Sequence, residues 1–487
     1  MTETRTAPHP DRLSGQLGTG SIVFMVIAAA APLTVIGGNV PLAVGVGNGV
    51  GAPVGFLIAA LVLLIFSVGF VTMTPHVREA GAFFSYVATG LGSRAGLGTA
   101  FTALVAYTAI QVGVYGYLGW AANDLVTTFG GPALWWPLYS FAALTIVAFL
   151  GYRHIELSAR VLGVALVLEI AVVVVLDVVV FGQGGRHGLV LETFAPENVF
   201  TPGIGVAVLF ALTGFIGFEA TAVFRDEARD PERTIPRATY LAVIIIGSFY
   251  AISCWALITG VGAGDAVAVA QKTLAGEGNF LLDTAGTYLG PVLRDVMQVL
   301  LITSLFACVL SFHNVIARYQ FTLANKGVLP AALGRRHARH SAPSRSSVLQ
   351  SITAFLVLAL LVIVGLDPLV GVFGSMAGVA TVGMVLLMLA TSIAVVVFFA
   401  RRPEAARGRT FTTRVAPVAA TVGLLLSLWL VLSNFTLVTG GTPGVSIALA
   451  VVPAVAFLLG VALGGRFTLG SGDTPPTPPA DAPAPGV

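Results

Sequence analysis

Two glutamates lie inside long apolar runs of the sequence, where an ionisable side chain is costly and is therefore a candidate for function. Glu169 stands ten residues into the run 159–181, about 15 Å along an α-helix and close to the middle of a bilayer. Glu219 stands near the end of the run 203–223. Both are predicted to bind and release a proton. The alternative is structural: a permanently protonated Glu169 bonded to a backbone carbonyl, and a Glu219 that satisfies free backbone donors.

Two of the apolar runs also contain residues that break helices. Pro32 removes a backbone hydrogen bond from the run 21–46, and Gly214 and Gly217 interrupt the run that holds Glu219. Freed N–H and C=O groups cannot face lipid, so such breaks survive in the protein interior or beside a cavity, where they become ligands. The alternative is that Pro and Gly are common in membrane helices and serve close packing. The residues expected to bind a ligand are Ala31, Pro32, Leu33, Thr34, Thr213, Gly214, Phe215 and Gly217.

Other polar residues in apolar runs are assigned mainly structural roles. Tyr107, Gln111 and Tyr115 are expected to form hydrogen bonds between helices, with gating of a cavity as the alternative. Asp177 lies near the outer end of its run and is expected to be hydrated there. His313 is expected to be a satisfied helix-packing residue.

The composition requires a membrane protein. Of 487 residues, 56% are hydrophobic and 10% are charged, which excludes a water-soluble enzyme or a nucleic-acid binder. No phosphate loop, metal cluster, catalytic triad or haem motif is found, so no enzyme activity, cofactor or metal is predicted. Twelve apolar segments are long enough to span a bilayer as helices. They are segments 1 to 12, at residues 21–46, 52–73, 98–125, 134–150, 159–181, 203–223, 238–261, 292–321, 348–364, 369–399, 416–437 and 445–463.

The basic residues predict the orientation of these segments. With the N-terminus inside, 22 of the 25 Lys and Arg residues fall on the inner side, and only Arg186, Lys272 and Arg294 fall outside. Such a split is the positive-inside signal of a multi-pass protein of the cytoplasmic membrane with both termini in the cytosol. No cleavable signal peptide is recognised, because the first twenty residues are polar and the first apolar run is long enough to span the membrane.

The positions of the two broken segments predict an internal repeat. Segments 1 and 6 are five apart, as an inverted five-plus-five repeat requires. The predicted organisation is a disordered tail at 1–17, a first repeat at 18–200, a second repeat at 201–402, two further helices at 403–466, and a disordered Pro-rich tail at 467–487. The fold class is therefore an all-α integral membrane protein with twelve transmembrane helices.

Three stretches resemble the amino acid–polyamine–organocation (APC) family of permeases. The charged hinge GFEATAVFRDEARDPERTIPRA at 217–238 is the most specific. The stretches FHNVIARYQF at 312–321, continued by NKGVLP at 325–330, and PHVREAGAFFSY at 75–86 are moderate matches. The resemblance covers roughly residues 18 to 463. One departure is that typical members carry Gly-Ser-Gly or Gly-Thr-Gly in the first broken segment, where this chain has Pro32.

The resemblance also bears on individual residues. Some proton-coupled relatives carry a lysine where Glu169 stands, and that lysine is thought to replace a coupling sodium ion. Arginine–agmatine antiporters carry a glutamate at the position of Glu219 and use it in acid sensing. Ser311 is the residue that could line the cation site that relatives build between segments 1, 5 and 8.

The sequence therefore predicts a secondary-active permease that moves an amino acid or a related small amine, with proton coupling. Its expected partners are the solute, protons and the lipid bilayer, and no nucleic acid. An exchanger of polyamines or other cationic amines is the alternative within transport, with Glu219 facing the ligand's charge. A non-transporting sensor or a channel is the alternative from another class. The oligomeric state is left open.

Pro32→Ala is expected to restore part of a continuous first helix, because alanine supplies the backbone donor that proline lacks. Solute binding should weaken while folding is largely retained. Ligand affinity of the purified variant, measured beside its thermal unfolding, checks this. Unchanged affinity in a folded variant would count against a binding site at this break.

Overall fold

The computed structural model describes residues 17–77, 83–153, 159–335 and 343–465. Within these ranges the chain is helical, with turns between the helices and one isolated bridge, between Leu17 and Ala228, as the only β-type pairing. The predicted tail at 467–487 and residues 78–82 of the stretch at 75–86 lie outside the described residues. Of the predicted tail at 1–17, Leu17 alone is described.

Segments 1 to 6 each coincide with helical structure. Segments 1 and 6 are interrupted, whereas segment 2 forms one unbroken helix with the predicted bounds. The helices are Thr19–Ala30, Pro32–Thr34, Val35–Asn39, Val40–Leu42 and Ala43–Asn48 in segment 1, Ala52–Met73, Ser93–Thr128, Trp136–Arg153 and Ala159–Gly182 in segments 2 to 5, and Ile204–Thr213 and Ala220–Val223 in segment 6. Shorter helices Gly49–Gly51, Thr74–His76, Phe83–Leu91, Leu191–Phe194, Pro196–Val199 and Phe224–Glu227 lie in the connections.

Segments 7 to 12 are also helical, and several extend beyond the predicted bounds into polar residues. Their helices are Pro231–Val261, Pro291–Asn325, Ser344–Ile363, Pro368–Gly374 with Ser375–Arg401, Phe411–Val415 with Ala416–Ser433 and Phe435–Thr439, and Pro443–Leu463. The long connection between segments 7 and 8 forms the helices Ala263–Leu274 and Phe280–Leu289, and Ala331–Gly334 follows segment 8.

Nine helical stretches of the described chain are long and apolar enough to cross a membrane. Segments 1 and 2 count as one of them, because the helical path from Thr19 to His76 is nearly continuous. The helix of segment 4 and the two short helices of segment 6 are not among these nine stretches. An all-helical, multi-pass membrane protein is thus confirmed, whereas twelve crossings and the inverted repeat stay predictions.

The helices differ in how much of their surface the protein covers. Of the 18 residues in the most apolar stretch of each segment, 78% are buried in segment 3, 22% in segment 12 and 28% in segment 9. Segment 3 is therefore a central helix. Segments 9 and 12 are peripheral, and their exposed leucines and valines suit contact with lipid.

The chain just before segment 1 is joined to the chain just after segment 6. The Leu17 N–H donates to the Glu227 carbonyl at 2.9 Å, and the Arg229 N–H donates to the Leu17 carbonyl at 3.0 Å. This pair of backbone hydrogen bonds connects the ends of the two interrupted helices.

A tight contact between helices yields a test of this packing. Gly90 of the helix Phe83–Leu91 lies so close to segment 10 that a Cβ atom would stand 2.4 Å from the Ala394 carbonyl oxygen. Gly90→Ala should therefore lower the melting temperature, at a cost of about 1–3 kcal/mol for overpacking. Gly20→Ala is the matched control, because a Cβ atom at that helical glycine meets nothing within 4 Å. Equal melting temperatures for the two variants would contradict the packing described here.

Candidate functional site

The helix of segment 1 breaks at Ala31. This residue has φ 47° and ψ 71°, and among the described residues it alone adopts a positive φ without being glycine. Its N–H donates to the Ala28 carbonyl at 3.2 Å, and its own carbonyl accepts from the Val35 N–H at 3.2 Å. A left-handed conformation costs an L-residue about 1–2 kcal/mol. Strain of this kind is concentrated at functional sites, where the surrounding structure holds it in place.

Side-chain hydrogen bonds tie this break to segments 6 and 7. The Tyr250 hydroxyl of segment 7 donates to the Ala30 carbonyl at 3.1 Å. The Asn39 amide donates to the Phe210 carbonyl of segment 6 at 2.8 Å, which joins the two interrupted segments directly. The break is therefore built into the protein interior and is not a frayed end.

The second break covers residues 214–219 of segment 6, which form successive turns instead of an α-helix. Gly217 has φ 107°, a conformation that favours glycine, and its N–H donates to the Glu219 carboxylate at 2.9 Å. The other carboxylate oxygen of Glu219 accepts a hydrogen bond from the Tyr107 hydroxyl of segment 3. Glu219 is buried, so its carboxylate supports the turn and links segment 6 to segment 3.

A cavity lies between the two breaks. It has a volume of about 20 Å³, which is room for about one water molecule. Of the predicted binding residues, Ala31, Thr34 and Thr213 line it, whereas Pro32, Leu33, Gly214, Phe215 and Gly217 lie outside its lining. The full lining is Ala29, Ala30, Ala31, Thr34, Val35, Asn39, Ile110, Val114, Thr213, Ile216, Cys308, Phe312 and Phe373.

The lining divides into a polar and an apolar part. The polar side chains are Thr34, Asn39 and Thr213, and the Thr213 hydroxyl lies 2.5 Å from that of Thr381 in segment 10. The remaining side chains are aliphatic or aromatic apart from one thiol. A small solute with one polar end and one apolar end would match this division.

Glu169 lies directly behind the cavity wall. Its carboxylate faces the Leu33 backbone N–H and the Ser304 hydroxyl. Ser304 also accepts a hydrogen bond from the Thr34 hydroxyl at 3.3 Å. Glu169 thus meets the first break from segment 5, and the backbone N–H that it meets is one of those expected to bind a ligand.

Ser304 was not singled out from the sequence, and Ser311 was. The structure buries Ser304 beside Thr34 and Glu169, and the side chain of Ser311 is exposed two helical turns further along segment 8. Cys308 and Phe312 were also missed. The signal in the sequence is the spacing of Ser304, Cys308 and Phe312 by four residues, which places all three on one face of a helix.

Gln111 and His313 make hydrogen bonds between helices, whereas the Tyr115 hydroxyl accepts from Gln111 of its own helix at 3.5 Å. Gln111 donates to the Val309 carbonyl at 3.3 Å and accepts from Gln350 at 2.8 Å. His313 lies 2.8 Å from the Ser347 hydroxyl.

The expectation that Asp177 is hydrated is wrong. Asp177 is buried and accepts a hydrogen bond from Ser253 at 2.7 Å, because segment 7 covers this part of segment 5.

An all-helical, multi-pass membrane protein with a cavity between two interrupted helices has the architecture of a secondary transporter. Residues 17–462 match the family model described as amino acid permease. The chain belongs to this family, within the APC superfamily that the hinge at 217–238 resembles.

Several curated proteins are similar over most of the chain. A branched-chain amino acid permease of Bacillus subtilis, BcaP, is 23% identical over 86% of this chain and 88% of its own length. An uncharacterised transporter of Mycobacterium bovis is 25% identical over 84% of this chain and 87% of its own length. The BcaP of Lactococcus lactis is 25% identical over 60% of this chain and 64% of its own length.

The bond between Tyr107 and Glu219 can be tested against a neighbouring tyrosine. Tyr107→Phe leaves a buried carboxylate oxygen without its donor and should cost about 1–3 kcal/mol, read as a lower melting temperature. Tyr319→Phe is the control, because Tyr319 packs against Tyr107 with a ring-centroid distance of 6.2 Å, and its buried hydroxyl has no hydrogen-bond partner among the described residues. This control should be neutral or slightly stabilising. Equal destabilisation by both variants would contradict the assignment.

Proposed function

We propose that this permease moves a neutral amino acid with an apolar side chain across the cell membrane, together with a proton. The observation that carries the proposal is the cavity between the two helix breaks, with its three polar side chains and otherwise mainly apolar lining. The names of the two BcaP relatives make leucine, isoleucine and valine the first substrates to test.

In the proposed complex the two ends of the amino acid meet different groups. Its carboxylate lies at Thr34, where the second half of segment 1 begins and the helix dipole favours an anion. Its amine lies at the carbonyls of segment 6 near Thr213 and Gly214. Its side chain packs against Ile110, Phe312 and the apolar residues around them.

The volume of the cavity implies that the lining moves during transport. A space of about 20 Å³ does not hold an amino acid, so Phe312, Phe373 and Ile216 must separate from one another before one can bind. The proposed movement is a rocking of the interrupted helices against the remaining ones, which alternates access to the two sides. Twelve crossings in an inverted repeat, with both termini in the cytosol, belong to the same proposal.

We further propose Glu169 as the residue that carries the coupled proton, with Glu219 as the next candidate. Glu169 is buried and faces polar groups that do not offset a full charge. A buried carboxylate of this kind takes up a proton readily where protons are plentiful and releases it where they are scarce. The hydrogen bonds of Glu219 to Tyr107 and Gly217 favour a supporting role for that residue.

A cationic amine is a weaker fit to the cavity. Its lining contains no aspartate or glutamate among the described residues, and Glu219 lies outside it. A buried cation without a counter-charge is unfavourable. A polyamine exchanger would therefore need Glu219 to turn into the cavity.

Uptake into proteoliposomes tests the substrate class. Purified protein should accumulate labelled leucine, isoleucine and valine when the outside is acidified, and unlabelled arginine or putrescine should compete weakly. Liposomes without protein give the background. Uptake of arginine or putrescine in preference to the branched-chain amino acids would refute the proposed class.

Glu169→Gln mimics the protonated carboxyl group and cannot release a proton. It should abolish leucine uptake driven by a pH gradient and spare leucine exchange at equal pH on both sides. Asp177→Asn is the matched control, because Asp177 is the other buried carboxylate of the same helix and bonds to Ser253 away from the cavity. Gradient-driven uptake by Glu169→Gln at the wild-type rate would show that another residue carries the coupled proton. Loss of both activities in a folded variant would make Glu169 structural.

A further inference from the structure

Three buried polar side chains from three different segments form a chain from the cavity to Glu169. Thr34 lines the cavity, and its hydroxyl donates to the Ser304 hydroxyl at 3.3 Å. The Ser304 hydroxyl in turn faces the Glu169 carboxylate. All three residues are more than nine-tenths buried, so water is largely excluded from the hydroxyl groups of Thr34 and Ser304.

The other polar groups that the structure describes around Glu169 are uncharged at neutral pH. They are the Leu33 backbone N–H of segment 1, the Cys308 thiol of segment 8 and the Tyr250 hydroxyl of segment 7, which is engaged with the Ala30 carbonyl. Within the described part of the chain no ion pair involves Glu169.

One further helix, Phe280–Leu289, also packs against segment 5. Its titratable groups bond elsewhere, Asp283 to the Asn279 N–H and Tyr288 to the Gly260 carbonyl. Glu169 is therefore connected to the cavity through neutral dipoles, and the Ser304 hydroxyl, which is bonded to Thr34, is one of them.

We propose that Thr34 and Ser304 form a hydroxyl relay that reports the protonation state of Glu169 to the bound solute, and that the relay selects for a solute with a carboxylate group. The inference rests on the proposed function, since it concerns the coupling of the same cavity to the same proton. It adds a role for Ser304 as a positioning residue, and a reason why proton and amino acid bind together.

With Glu169 ionised, every hydrogen in the relay points away from the cavity. The Ser304 hydroxyl donates to the carboxylate, and the Thr34 hydroxyl, 3.3 Å away, donates to Ser304. Thr34 then presents only oxygen lone pairs to the cavity. A carboxylate in the cavity would meet an acceptor where it needs a donor, which disfavours its binding.

With Glu169 protonated, the direction reverses. The new O–H group of Glu169 donates to Ser304, Ser304 donates to Thr34, and the Thr34 hydroxyl is free to donate into the cavity. Each hydroxyl only rotates about its C–O bond, so the one covalent bond formed is that between the proton and Glu169. The carboxylate of an amino acid then gains a donor, and a charged acceptor makes this a strong hydrogen bond.

The consequence is a positive coupling between proton and carboxylate. Each of the two ligands raises the affinity for the other by the same factor, since coupling free energies are reciprocal. An amine without a carboxylate gains nothing from the reversal, so its affinity should not follow the protonation state of Glu169 by this route.

Leucine binding at two pH values tests the relay. In the wild type the dissociation constant for L-leucine should be about tenfold lower near pH 5 than near pH 8, an ordinary size for coupling between two sites. Ser304→Ala removes the link, so the ratio should fall to about twofold or less, whereas Ser304→Thr keeps a hydroxyl and should retain most of it. Ser253→Ala is the matched control, because Ser253 is likewise a buried serine bonded to a carboxylate of segment 5.

The outcomes separate the relay from the proposed function. A full pH dependence in Ser304→Ala would overturn the relay and leave leucine transport standing, since Glu169 would then act through space. A wild type that binds leucine with the same affinity at both pH values would overturn the relay and the proton coupling, and would leave the substrate class intact. Loss of the pH dependence in Ser253→Ala as well would also overturn the relay.

A second measurement does not depend on the ligand. Infrared difference spectra between low and high pH record the carbonyl stretch of protonated Glu169, identified by its absence in Glu169→Gln. Ser304→Ala should shift this band, and Thr34→Val should shift it by a smaller amount, because Thr34 reaches Glu169 only through Ser304. A band that stays unmoved in Thr34→Val would overturn the relay even if no tested amino acid binds.

Discussion

The bilayer core offers no hydrogen-bond partners, so every backbone group exposed by an interrupted helix must find its partner inside the protein. This constraint accounts for the placement of the buried polar side chains around the site. Tyr250 reaches the Ala30 carbonyl, Asn39 reaches the Phe210 carbonyl, and Glu219 accepts from the Gly217 N–H. Asn39 itself lines the cavity, and so does Ala30, whose carbonyl Tyr250 satisfies, so the stability of the site is linked to the residues that would meet a solute.

Much of the fold follows from the sequence because length and hydropathy act locally. Segment 2 has the predicted bounds, and segment 5 differs from its prediction by one residue at its end. The helix breaks were also predictable, since Pro32 and the glycines of segment 6 act on their own backbone. The left-handed conformation was not assigned to a residue beforehand, and the structure gives it to Ala31, directly before the proline.

The contacts within the site were harder to predict, because they depend on how helices are placed against each other. Periodicity identifies one face of segment 8 but does not say how far along that face segment 1 crosses it. Ser304 and Ser311 are seven residues apart on this face, and only the packing shows that Ser304 is the one beside Thr34 and Glu169. Asp177 is a second example. Its position near the end of segment 5 predicted contact with water, whereas the structure covers it with segment 7.

The two hydrogen bonds of Leu17 restrict how the interrupted helices can move. Only one residue separates Leu17 from the start of the helix Thr19–Ala30, and the hinge residues it pairs with lead directly into segment 7. Because this connection is a single residue long, a tilt of the first half of segment 1 must displace the hinge at the same time. The two interrupted helices therefore move together at this end of the molecule. Inserting residues between Leu17 and Thr19 would separate the two motions.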